Sequence, residues 1–146
     1  MSLKPLLTAG PLLAALFIFL PGQALAQKNA QEELLAGLAQ EYRPEGAPDH
    51  QAAATHYQAA ARAGSREALL ALARLHAPDG PLWRTAEVWR GHLLAAAEAG
   101  WPSAAFELGE AIEKGAVPAG SLEPFLLFQQ AAAAGHGPAA LRLGQL

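Results

Sequence analysis

Large apolar residues, alanines and glycines return along this chain in a fixed order three times. Tyr57, Leu93 and Phe128 each stand seven places before a glycine, and the pairs Ala60-Ala61, Ala96-Ala97 and Ala131-Ala132 stand four and three places before it. The glycines are Gly64, Gly100 and Gly135, separated by steps of 36 and 35 residues. Past each glycine, Ala68, Ala104 and Ala139 fall at plus four, and Leu72, Leu108 and Leu143 at plus eight. Spacings of three and four put such residues on one helix face. Each unit therefore predicts a helix, a tight turn and a second helix, with apolar stripes facing each other. A period in this range is the mark of a helical repeat array.

The punctuation agrees with that reading. Glycine suits the end of a helix, where a left-handed residue closes the last turn at little steric cost. Ser65 is placed as an N-cap, and Pro102 and Pro138 suit a first helical turn, where a missing N–H is harmless. The stretches Ala77–Pro81 and Lys114–Ser121 supply loop residues between units. Ahead of the first unit, Leu34, Leu38 and Tyr42 recur at four-residue spacing and predict a lone helix covering the end of the array, joined to it by Arg43–Asp49. No β pattern is present. The predicted fold is all-α: an α-solenoid of three helix-turn-helix repeats, at about 48–80, 81–118 and 119–146, behind an N-terminal helix and linker at 27–47.

The frame of a large residue, AAxxG, alanine at plus four and Leu-Gly at plus eight and nine resembles the Sel1-like repeat, a relative of the tetratricopeptide repeat. The match is fullest in AAEAG with FELG ending at Gly109, and in AAAAG with LRLG ending at Gly144. Three departures stand out: Ala73 replaces the second glycine of the first unit, and Trp89 and Pro124 fill a place where a small residue is usual. The resemblance implies protein–protein interaction, as an adaptor or regulator in a bacterial envelope. Its first helices are expected to line a concave surface able to hold a peptide or a helix.

Composition adds a compartment. Met1–Ala26 carries Lys4, an apolar run at Leu12–Leu20, a Pro21-Gly22 break and Ala24-Leu25-Ala26, the layout of a signal peptide cut before Gln27. The run is shorter than the ~20 residues of a spanning helix, so membrane contact is expected only through this transient leader. Secretion, with the periplasm as destination, follows. The formal charge is −3 with scattered Lys and Arg, which excludes the basic cluster nucleic-acid binding needs. The chain has no cysteine, so packing alone must hold it, and thiolate metal sites are excluded.

Candidate chemistry is sparse. His56 and His92 share one repeat position, and stacked repeats would separate them by on the order of 10 Å, too far for a shared metal. Neither a metal nor another cofactor is expected. No nucleophile, base and orienting group converge, so no enzyme is expected. Glu107, Glu110 and Glu113 read as a solvated acidic face. Aromatic residues and arginine dominate binding hot spots. Trp89, Trp101 and Arg90, with His56 and His92, are accordingly the partner-binding candidates, Trp101 being the more exposed by expectation. Two alternatives remain. One is self-association through the C-terminal repeat edge, at Leu143 and Leu146. The other is a small envelope hydrolase or β-lactam-binding factor, although the cysteines of relatives linked to that activity are absent.

Overall fold

The computed structural model describes residues 21–146. Seven helices and no strand occur among them: α1 Pro21–Glu41, α2 His50–Arg62, α3 Arg66–Leu75, α4 Ala86–Glu98, α5 Pro102–Glu113, α6 Pro124–Ala133 and α7 Gly137–Leu143. Each helix packs chiefly on its neighbours in chain order, the quasi-one-dimensional contact pattern of a solenoid. The apolar run and Lys4 of the expected leader lie outside the described residues. Among the described residues, no helix is long and apolar enough to cross a membrane.

The three turns are built alike. Gly64, Gly100 and Gly135 have φ of 99°, 90° and 87°, a region closed to most side chains. At each, the glycine N–H donates to the carbonyl of the second alanine (Ala61, Ala97, Ala132), and the next N–H donates to that of the first (Ala60, Ala96, Ala131). This pair of bonds is a Schellman motif, and it satisfies carbonyls that the helix end would leave bare. The following helix starts at once. Ser65 Oγ accepts from the Ala68 N–H at 3.2 Å, and Pro102 and Pro138 occupy first turns.

Packing between repeats follows a size rule. Ala68, Ala104 and Ala139, at plus four, are all fully buried, as are Tyr57 and Phe128, while Leu93 is 1% exposed. Each large residue meets the second helix of the unit before it. A Cβ added to Gly37 would lie 2.5 Å from the Tyr57 ring, and one added to Gly109 would lie 2.6 Å from the Phe128 ring. By the same register Leu93 faces Ala73, and both are buried in one apolar cluster. An aromatic ring needs a bare glycine beneath it, whereas the slimmer leucine leaves room for a methyl group. That accounts for the first unit's departure at Ala73.

The same rule rotates α1 away from its expected face. Ala30, Gly37 and Glu41 are buried and Leu34 is half-buried, while Leu38 and Tyr42 are 36% and 62% exposed. Seating Tyr57 on Gly37 brings Glu41 inward and turns Leu38 and Tyr42 out. The helix is also longer than its apolar pattern, but residues 21–29 are exposed throughout. Glu41 then closes a polar network. Tyr57 Oη donates to it at 2.6 Å, Arg74 donates to both its oxygens at 2.7 and 2.8 Å, and Arg74 also donates to Tyr42 Oη at 2.9 Å. Burial, then the bond to Glu41, pushes the Tyr57 hydroxyl well above its ordinary pKa.

Candidate partner-binding groove

α3 and α5, the second helices of the first two units, stand apart with a cavity of about 590 Å³ between them. Its apolar lining comes from α3 and the residues after it: Leu70, Ala71, Ala73 and Ala77. Glu67 and Arg74 of α3, Asp79 of the following loop and Glu107 of α5 form its charged walls, and Trp101 also lines it. The sequence pointed instead to the first helices as the binding surface.

Local bonds fix these walls. The loop bearing Asp79 is drawn back over the end of α3: the Leu82 N–H donates to the Leu75 carbonyl at 2.9 Å, and His76 Nδ1 donates to the Leu82 carbonyl at 2.9 Å. Trp101 Nε1 donates to the Arg66 carbonyl at 2.7 Å, and the Arg66 guanidinium lies 5.3 Å from the ring centroid. Trp101 is therefore half-buried, its polar atom spent and one face covered, and it offers the groove apolar surface.

The walls are negative. Arg74 is already paired with Glu41, while among the described residues Glu67, Asp79 and Glu107 have no ion-pair partner. Partial burial, followed by repulsion from Asp79 and Glu110, raises the Glu107 carboxyl above its ordinary range. The acidic strip of α5 is thus divided. Glu110 pairs with Lys114 at 3.4 Å and Glu113 with Arg142 at 2.8 Å, leaving Glu107 as its unpaired member.

Of the five candidates from sequence, the structure brings only Trp101 to this cavity. Trp89 is 7% exposed, with Trp83 edge-on to it at 6.4 Å, so the exposed indole is Trp83. Arg90 donates to the Ala119 carbonyl at 3.1 Å and bridges to the loop before α6. His56 Nδ1 lies 2.8 Å from Glu33 of α1, and His92 stacks on His76 at 4.6 Å. Burial, with His76 beside it, lowers the pKa of His92. Each of these histidines joins its repeat to the helix before it. Among the described residues no three His, Asp or Glu side chains converge as metal ligands. Sequence reasoning did not single out Glu67, Leu70 or Asp79, and read the exposed Glu107 only as part of a solvated face, because apolar periodicity marks the buried stripe and says nothing of the gap between two second helices.

No protein-family model and no curated protein matches the chain. The fold is nevertheless that of a Sel1-repeat solenoid: the chain superposes on the crystal structure of a Sel1 repeat protein from Oxalobacter formigenes with a TM-score of 0.62. That likeness spans 87% of this chain and 100% of the other at 22% identity.

Proposed function

We propose that this solenoid is a protein–protein interaction module of a bacterial envelope, an adaptor or regulator that holds a segment of a partner protein. The observation that carries the reading is the α3–α5 groove, a largely apolar cleft whose Trp101 and Asp79-bearing loop are held in place by neighbouring bonds and need not be ordered on binding. A repeat stack of this kind presents such a surface without any reacting group. Export rests on the leader layout of Met1–Ala26. The packing face of α1 begins at Ala30, so a cut before Gln27 removes no buried side chain among the described residues.

Cross-linked co-purification from the envelope fraction tests both parts. The comparison is between the wild-type chain and Ala71→Trp, which fills the groove while removing nothing from the core. Recovery of one protein with the wild type and its loss with Ala71→Trp, at equal helical content, is the expected result, and the recovered chain should begin at Gln27 by mass. Equal recovery with both would move the interface elsewhere. Return of the chain alone would favour self-association, for which Leu146 is 63% exposed as the sequence suggests, while Leu143 is half-buried and Leu141, 67% exposed, takes its place.

A further inference from the structure

Taking the groove as the interaction site, as proposed above, we infer that it receives a basic side chain, a lysine or arginine presented by the partner segment, laid along the apolar lining with its cationic head among Glu67, Asp79 and Glu107. The geometry matches the two halves of such a side chain. Leu70, Ala71 and Ala77 offer surface for a methylene stem, and the carboxylates stand on three separate elements: Glu67 at the start of α3, Asp79 in the α3–α4 loop and Glu107 on α5. Long cationic side chains bury their stems on apolar surface and keep the charged head at its edge.

The charge balance points the same way. The one cation on the groove wall, Arg74, is held by Glu41 at 2.7 Å. Its charge is therefore matched from outside the groove, and three carboxylates face the cavity uncompensated. Desolvation, then repulsion from Asp79 across the groove and from Glu110 along α5, raises the Glu107 carboxyl. A ligand cation would relieve that repulsion, whereas an acidic partner would add to it. The carboxylates do not converge as metal ligands do, so an extended organic cation suits them better than a compact ion. Arg66, which is not part of the lining, lies against the Trp101 ring and forms no ion pair with these carboxylates among the described residues.

The test is a titration of the ¹⁵N-labelled chain with acetyl-Ala-Lys-Leu-Lys-Ala-amide, with the Glu-for-Lys peptide as control. Two double variants of equal charge change are compared, Asp79→Asn with Glu107→Gln in the groove and Glu87→Gln with Glu98→Gln on α4. The expected result is a response of α3, α5 and Trp101 resonances to the lysine peptide alone. Affinity should fall about fivefold to tenfold in the groove variant and hold in the α4 variant. Equal losses in both variants, shifts centred elsewhere, or a silent wild type would overturn the inference. The two readings also fail separately. A partner recovered from the envelope equally by the wild type and the groove charge variant, but lost with Ala71→Trp, leaves the interaction site standing and removes its preference for a base.

Discussion

At the α1–α2 contact a tyrosine ring lies over Gly37, and at the α5–α6 contact a phenylalanine ring lies over Gly109. The two joints share one register and one shape, yet their surroundings differ because of a hydroxyl group. Phe128 asks nothing of its neighbours but carbon, and Phe106 tilts against it at 5.6 Å. Tyr57 is fully buried, so its hydroxyl requires an acceptor, and Glu41 supplies one. A buried carboxylate in turn requires a cation, and Arg74 supplies that from α3. One oxygen atom thus recruits three helices into a network, while at the joint without it no side-chain hydrogen bond links α5 to α6 among the described residues. Packing size is set by the repeat, whereas polarity is settled locally.

The largest effect should come from breaking the shared shape. Gly109→Leu places a side chain where the Phe128 ring already lies, and should cost about 3 kcal/mol by chemical denaturation, at the upper end of overpacking penalties. A sharper form is Gly109→Ala combined with Phe128→Leu, which copies the Ala73–Leu93 joint. The pair should be more stable than the sum of the single changes, with a coupling of about 1 kcal/mol, and strict additivity would refute the size rule.

Breaking the difference between the joints should cost less. Glu41→Ala leaves the Tyr57 hydroxyl buried without its acceptor and frees Arg74, for a loss of about 2 kcal/mol. In that background Tyr57→Phe should restore stability, because it turns the first joint into the second. If Tyr57→Phe destabilises the Glu41→Ala protein further, the hydroxyl has another role.

The smallest effect concerns the middle joint, where His92 stacks on His76. Burial and the neighbouring ring hold the His92 imidazole below its ordinary 6.5, so the unfolded chain takes up the proton more readily. The stabilisation is complete above pH 6.5 and is lost as the pH falls through the lowered folded value. Thermal unfolding between pH 7.5 and 5 should therefore show a declining Tm that His92→Leu flattens. Identical slopes for both proteins would show that the stack is not the titrating element.

The sequence made the repeat legible in detail because the units bury the same stripe, with the plus-eight Leu143 of the last unit only half-buried. The minus-seven, minus-four, plus-four and plus-eight positions carry it, and the turn glycines mark its phase. It concealed what depends on one unit meeting another. The face of α1 was misplaced because leucine and tyrosine outweigh glycine in any apolar pattern, yet Gly37 is the residue that Tyr57 requires. Trp101 reads as an exposed anchor until Arg66, thirty-five residues earlier, is seen to hold its indole N–H. The groove itself is a space between α3 and α5, and Glu107 looks like any exposed acid until Asp79 faces the same cavity.

The size rule makes the repeats keyed parts rather than interchangeable ones. If the middle unit were duplicated in tandem, the Gly109 of one copy would meet the Leu93 of the next, and a void would open where Phe128 now fits. Duplicating the last unit's first helix after α3 would instead press an aromatic ring onto Ala73. The array can be lengthened only where a lock and its key travel together, so the order of its units is written into the joints between them.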